Sequence, residues 1–146
     1  MGAYDEVLKR CVEAVGPDWE NSRPTGCDTL FYVFGRVALS QGDYARSRVY
    51  LKQSTATAIP ERYLGIQSLG IIAAIMGLYR RAAVIFGGLE NLCPWLENFS
   101  APIERSEYEQ ALQTARAMLH DEDFKAAWAE GQAMSRERMT AYILED

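Results

Sequence analysis

An internal repeat is the feature that most constrains what this chain folds into. The 146-residue sequence contains two related stretches, 30–54 and 65–90, that align at an offset of 35 residues. Six of the fifteen positions from 35 to 49 are identical to their counterparts in the second stretch. Repetition at this period is typical of stacked helical hairpins, which usually bind partners along an extended surface.

Hydrophobic periodicity predicts about eight helices and no strand. Apolar residues spaced three and four apart predict an amphipathic helix from Ala3 to Val15, which Gly16 and Pro17 end. Two helical hairpins follow, with short turns at Gly42-Asp43 and Gly77-Leu78 that force antiparallel neighbours. The other predicted helices cover 28–41, 44–57, 62–76, 79–93, 106–120, 122–132 and the segment after Ser135.

Three N-terminal signals define the predicted C-terminal helices. Ser106 and Glu109 form the pattern of a capping box, and Asp121 and Ser135 are residue types that favour N-cap positions. The segment from Pro94 to Ile103 contains two prolines around two aromatic residues and predicts an ordered loop packed on the array.

Composition favours one acidic, globular domain over residues 1–146. Apolar residues make up 49% of the chain and charged residues 24%, and the net charge is −5. This balance argues against direct binding of nucleic acid or anionic membrane, because both need a basic face. No window is apolar over the roughly 20 residues that a transmembrane helix requires. Three cysteines without CxxC spacing, and no signal peptide, predict a reduced, cytoplasmic protein.

The repeat resembles the tetratricopeptide family. Glycines 35 and 70 match its small-residue position, glycines 42 and 77 match the turn, and Tyr44 and Tyr79 match the aromatic residue that opens the second helix. Ser47 with Ala82, Leu51 with Phe86, and Pro60 continue the pattern. The resemblance implies an all-α, tetratricopeptide-like α-α superhelix with repeats at about 28–60 and 61–93. The helices of 104–146 would then be an atypical terminal cap.

The C-terminal half also resembles the end of large bacterial regulators that couple a STAND-type ATPase, often with a LuxR-type DNA-binding domain, to such an array. The resemblance rests on Arg81-Ala82-Ala83, Phe86-Gly87, the run 107–109, the run AAWAEG at 126–131, and Ala141-Tyr142. It implies a signal-sensing or transcription-regulating role. The chain lacks a GxxxxGK[ST] loop, so we expect a fragment of such a regulator or a descendant of its sensor end.

The resemblance to tetratricopeptide arrays implies a partner-binding groove on the concave face of the first helices of each pair. By alignment the groove is lined by Thr29, Tyr32, Arg36, Leu39, Leu64, Gln67, Ile71 and Arg116. Mixed apolar and hydrogen-bonding residues suit an extended peptide or another helix. The alternative is that this face is filled by the chain's own C-terminal helices or by a second copy.

Two other functions stay open at this point. A small effector could bind between the array and the 94–103 loop, with Trp95 and Phe99 as walls. The chain could also form a homodimer through an uncovered face of the helix from Ala3 to Val15. An enzyme is not expected, because the single histidine, His120, has no triad or metal-ligand pattern around it. No catalytic residue, metal site or cofactor is therefore predicted.

Overall fold

The computed structural model describes residues 28–55 and 61–145, together with positions 6, 9, 10 and 13; the side chains of 28, 29 and 61 lie outside this description. The described residues contain seven α-helices and no strand, which confirms the all-α prediction. The helices are α1 Asp28–Ser40, α2 Tyr44–Ser54, α3 Glu61–Ile75, α4 Tyr79–Leu92, α5 Pro102–Met118, α6 Asp121–Gln132 and α7 Arg136–Leu144, with a short 3-10 helix at Leu96–Asn98.

The predicted first helix, Ala3–Val15, lies mostly outside the described residues. Its four described positions are helical and exposed, and Arg10 pairs with Glu6 at 3.1 Å, one helical turn away. Residues 18–26 and Pro60 also lie outside the described residues. The proposed pairing of this helix with a second copy therefore stays a prediction.

Helices α1 and α2, and helices α3 and α4, form two hairpins with the same turn. Gly42 and Gly77 adopt φ values of 78° and 82°, which glycine reaches without a β-carbon clash. In both turns the next residue donates its N–H to a carbonyl five residues back, Asp43 to Ala38 at 2.9 Å and Leu78 to Ala73 at 2.8 Å. This hydrogen bond closes a Schellman motif at the end of each first helix. The helical-repeat prediction is thereby confirmed.

The 35-residue offset also holds for packing between the helices of each hairpin. A β-carbon built on Gly35 would lie 2.6 Å from Leu51 Cγ, and one built on Gly70 would lie 2.5 Å from Phe86 Cε1. Leu51 and Phe86 are themselves one repeat apart and both fully buried. The two glycines therefore allow Leu51 in the first hairpin and Phe86 in the second to pack directly against the backbone of the preceding helix.

Helix α4 is the centre of the molecule. Every residue from Ala82 to Leu89 is buried, because α3, α5, α6 and α7 all contact this helix. The closest approach is to α6, where a β-carbon on Gly131 would overlap the carbonyl oxygen of Val84. Gly87 faces the backbone of Trp128 at the same crossing. The small residues of both helices thus bring the two backbones into direct contact.

The last helix is fastened to α4 by one arginine. Met139 and Ile143 are buried, and Ser135 caps the helix by accepting from the Arg138 N–H at 3.1 Å, as predicted. The Arg81 guanidinium donates to the carbonyls of Tyr142 at 3.1 Å and of Glu145 at 2.8 Å. A cation at this end of a helix satisfies carbonyls that have no partner within the helix.

Two predicted helix starts were wrong. Helix α5 begins at Pro102 and not at Ser106, because extended Ala101 precedes a proline at the first helical position. Glu104 Oε2 accepts from the Ala101 N–H at 2.8 Å and does the capping predicted for Glu109. Asp121 is the first residue of α6, and His120 occupies the N-cap position without a side-chain hydrogen bond.

Candidate interaction site

Helix α5 lies across the predicted concave face. The Tyr32 hydroxyl donates to Glu104 Oε1, and the Arg36 guanidinium pairs with Glu107. Arg36 also donates to Ser68 Oγ at 3.1 Å, which ties α1, α3 and α5 together. Two of the predicted partner-binding residues are therefore engaged by a helix of this chain, the arrangement that the sequence left open as an alternative.

Burial and a nearby negative charge favour the protonated form of the Tyr32 hydroxyl. Its pKa is raised above the usual value for tyrosine, first because burial disfavours the phenolate and then because Glu104 lies beside it. Arg36 acts in the opposite direction and does not outweigh these effects. The phenol thus stays protonated at neutral pH and can hold the Glu104 carboxylate.

The other predicted groove residues divide into three groups. Leu39 on α1 and Leu64, Gln67 and Ile71 on α3 are buried. Arg116 lies away from them, with its guanidinium 4.8 Å from the centre of the Phe124 ring. The Thr29 side chain lies outside the described residues. The structure therefore links Arg36 to α3 through Ser68, and leaves Arg116 on the α5–α6 side.

A cleft opens where α5 continues past the two anchored residues. Two contacts join α1 to α5, first Tyr32 with Glu104 and then Arg36 with Glu107. Beyond these contacts, toward the C-terminal ends of both helices, lies a cavity of about 290 Å³. It is lined by Leu39, Ser40, Ile71, Ala74, Ile75, Glu107, Gln110, Ala111 and Thr114. This space, which we call the end cleft, is the part of the predicted concave face that α5 leaves uncovered.

The second hairpin turn exposes three large apolar side chains beside the end cleft. Ile75, Met76 and Leu78 are 50%, 46% and 47% exposed. We call these three residues the turn patch. Ile75 lines the end cleft, and Leu78 lines a shallower depression on the other side with Tyr79, Leu119 and Tyr142. The turn patch thus joins two concave surfaces at one end of the molecule.

The first hairpin turn carries polar residues at the same three positions. Ser40, Gln41 and Asp43 are exposed and align with the turn patch at the 35-residue offset. Sequence reasoning overlooked the turn patch because it asked where the two repeats agree. The turn patch is found by comparing where the two repeats differ: around the same turn glycine, the first repeat has three polar residues and the second has three apolar ones.

A second cavity lies beside the 94–103 segment, where the sequence placed an effector pocket. It has a volume of about 210 Å³ and is lined by residues of α3, α4, the 3-10 helix and α5, but not by Trp95 or Phe99. The Trp95 ring instead packs edge-on against Tyr63 and Phe99, with centroid distances of 6.1 and 5.3 Å. The two predicted wall residues therefore fasten the segment to α3 and leave the cavity on its other side.

The described residues contain no group of three histidine, cysteine or acidic side chains positioned to hold a metal ion. Within the same ranges no helix is both long and apolar enough to cross a membrane. Cys93 is buried, and burial raises the pKa of its thiol to about 11, so the thiol stays protonated at neutral pH.

Comparisons of the chain with protein-family models, with curated proteins and with solved structures found no match. The candidate function therefore rests on the geometry of the surfaces described above.

Proposed function

We propose that this chain is a non-catalytic helical-repeat module that binds an amphipathic helix of a partner protein through the turn patch and the end cleft. The observation that supports this function is the contrast between the two hairpin turns. The same backbone turn carries Ser40, Gln41 and Asp43 in the first repeat and Ile75, Met76 and Leu78 in the second. Folding of the turn does not require the apolar set.

The apolar turn carries a stability cost that the polar turn avoids. Asp43 accepts a hydrogen bond from the Arg46 N–H at 3.2 Å and caps α2, whereas Leu78 occupies the equivalent N-cap of α4 without a side-chain bond. An N-cap of this kind is worth about 1 kcal/mol. Contiguous exposed apolar side chains beside a concave surface are typical of protein-binding sites.

The shape and charge of the end cleft favour a helix as the occupant. The cleft continues the surface on which α5 already lies, so the same array accommodates a helix next to it. Its one ionised lining residue, Glu107, is paired with Arg36. A mostly apolar cleft of about 290 Å³, whose one carboxylate is already paired, suits inserted leucine, methionine or phenylalanine side chains of an amphipathic helix. A small ligand alone would leave the turn patch outside the cavity exposed.

The resemblance to the sensor ends of STAND-type bacterial regulators extends this proposal. In that setting the module acts in signal transduction or transcription regulation, and helix binding biases an attached ATPase between two states. A parent gene that encodes no ATPase module would remove this extension. It would leave the helix-binding proposal standing.

The turn-exchange variant tests the proposal directly. It replaces the turn patch with the first turn's own residues through Ile75→Ser, Met76→Gln and Leu78→Asp. A displayed library of amphipathic helical peptides is selected on the natural protein, and the selected peptides are measured by titration on both proteins. We expect at least a tenfold loss of affinity in the variant, because the apolar anchors lose their contacts.

Val49→Ser is the matched control, because Val49 is an exposed apolar residue of α2 at 57% exposure outside these surfaces. Peptides that bind the natural protein and the turn-exchange variant equally well would contradict the proposal. Light scattering across a range of concentrations tests the rival occupant. A dimer that the turn-exchange variant abolishes would assign the turn patch to a second copy of the chain.

A further inference from the structure

The cavity beside the 94–103 segment, which we call the loop pocket, lies at the opposite end of α4 from the turn patch. Its polar lining is dominated by carboxylates. Glu90 comes from α4, Glu97 from the 3-10 helix and Glu109 from α5, with Arg105 as the one cationic residue among them. We propose that the loop pocket binds a small organic ammonium cation.

A largely buried glutamine that lines the pocket provides the second observation. Gln67 lines the loop pocket and is only 7% exposed. Its side-chain amide forms no hydrogen bond with any residue in the described ranges, whereas its repeat counterpart, Tyr32, donates to Glu104. The amide oxygen and nitrogen of Gln67 are not fully enclosed by protein, so they are open to the space of the pocket. A ligand that donates hydrogen bonds would satisfy the Gln67 carbonyl oxygen at the base of the pocket.

The pKa of Tyr108 indicates that two of these carboxylates, Glu90 and Glu109, act on the same region of the pocket. This residue also lines the pocket, and its pKa is raised first by burial and then by the negative charge of Glu90. Glu109 acts in the same direction, and Arg116 opposes both. The negative potential that disfavours a phenolate at this position attracts a cation to it.

The remaining lining residues favour an organic cation over a metal ion. The carboxylates come from three separate elements, and no group of three ligating side chains converges on one point within the described residues. Leu89, Pro94 and Leu96 provide apolar surface between them. A short aliphatic chain can lie on this surface while its ammonium groups reach the carboxylates and the Gln67 amide. The volume of about 210 Å³ limits the ligand to a small amine.

The probe for this test is 1,4-diaminobutane at neutral pH, compared with two isosteres of different charge. Binding is followed by calorimetry and by the NMR signals of the Gln67 side-chain amide. We expect the diamine to shift these signals to saturation, whereas 1,4-butanediol and succinate leave them unchanged. A capped lysine, Nα-acetyl-lysine methylamide, distinguishes the two sources of an ammonium group. Tighter binding of the diamine indicates a free amine, and tighter binding of capped lysine indicates a partner's lysine side chain.

Matched variants locate the binding. The double variant Glu97→Gln and Glu109→Gln changes two exposed residues and should weaken binding about tenfold, because charged hydrogen-bond acceptors become neutral. Gln67→Met keeps the side-chain volume and should weaken binding about as much. Glu122→Gln and Glu137→Gln remove the same charge from α6 and α7 and should leave binding unchanged.

Two results would overturn the proposal. In one, 1,4-butanediol binds as tightly as the diamine, so that charge plays no part. In the other, the diamine is weakened equally by the control pair, so that it follows the overall charge of −5 and not the loop pocket. The turn-exchange variant should bind the diamine normally, so this test stands apart from the helix-binding function.

Discussion

The two hairpins of this protein share their local geometry and differ in their surroundings. Both turn at a glycine with positive φ, and both pack a large side chain against a helical glycine. Val49 and Val84, however, are identical residues one repeat apart, and Val49 is largely exposed while Val84 is fully buried. The difference arises because α6 crosses α4 directly over Val84.

In this protein the repeat specifies the backbone of each hairpin, and the neighbouring helices specify which residues of the hairpin are exposed. The second hairpin is enclosed by α5, α6 and α7, and it alone has an apolar turn. The two concave-face residues Tyr32 and Gln67 also differ, since one is bonded to α5 and the other faces the loop pocket. The positions at which the hairpins disagree are therefore the positions that carry the proposed functions.

The largest expected effect is a loss of stability when the crossing of α6 over α4, which buries Val84, is disturbed. Gly131→Ala places a β-carbon on the Val84 carbonyl oxygen, and no side-chain rotation relieves an overlap with backbone. We expect a loss of about 3 kcal/mol in the free energy of unfolding, measured with urea, despite alanine's better helix propensity. Gln132→Ala, an exposed neighbour, should change stability little. An unchanged midpoint for Gly131→Ala would show that α6 is free to shift.

The next largest losses of stability are expected from substituting the two helical glycines that lie one repeat apart. Gly70→Ala should cost about 2 kcal/mol and Gly35→Ala about 1 kcal/mol in unfolding free energy. Both introduce a β-carbon against a buried side chain. Gly70 faces Phe86 and Ile85 of the enclosed helix α4, whereas Gly35 faces Leu51 of α2, a helix on which Val49 is exposed. Equal losses would indicate that enclosure of the second hairpin does not limit its adjustment. Adding Phe86→Leu to Gly70→Ala should recover part of the loss.

Raising the pH above 10 should destabilise the folded protein through Tyr32. The pKa of Tyr32 is raised in the folded state, so above pH 10 the unfolded chain releases a proton that the folded chain keeps. Stability is therefore fully present below about pH 10 and falls as pH rises, by at most about 1.4 kcal/mol per pH unit. Urea unfolding from pH 8 to 11 should show a shallower fall for Tyr32→Phe. Tyr108 and Tyr142, whose pKa values are raised in the same direction, contribute equally to both proteins.

The smallest expected effect is an exchange of caps between the turns. Leu78→Asp should stabilise the protein by about 1 kcal/mol, because the new carboxylate can accept from the Arg81 N–H as Asp43 accepts from Arg46. Asp43→Leu should destabilise it by a similar amount. Thermal unfolding of both variants measures the exchange. If Leu78→Asp destabilises the protein, the second turn does not offer the capping geometry that Asp43 has in the first turn.

Helix existence and the turns were predictable because their signals are local. Gly42 and Gly77 lie where the apolar periodicity stops, and only glycine readily adopts the required φ. Starts of helices were less predictable at the C-terminal end. Ser106 with Glu109 matched a capping box, but Pro102 and Glu104 formed an earlier start that ends the 94–103 segment.

The candidate sites were only partly predictable. Alignment to the repeat placed Tyr32, Arg36, Gln67 and Ile71 on one face. In the structure Arg36 bonds to Ser68 of α3, Ile71 lines the end cleft and Gln67 lines the loop pocket, whereas Arg116 faces another ring. The turn patch was visible in the sequence as a contrast between the repeats. The loop pocket lay near its predicted place, but Trp95 and Phe99 pack against each other and do not wall it.

By itself the sequence determined the helical class, the 35-residue repeat, the two glycine turns and the small residues at the crossings, because each follows from backbone sterics and apolar spacing over a few residues. Only the tertiary structure decided that α5 binds Tyr32 and Arg36, that α4 is central and that Val49 and Val84 differ in exposure. These outcomes depend on which surfaces meet across more than 40 residues of chain. Local patterns carry no information about such distances.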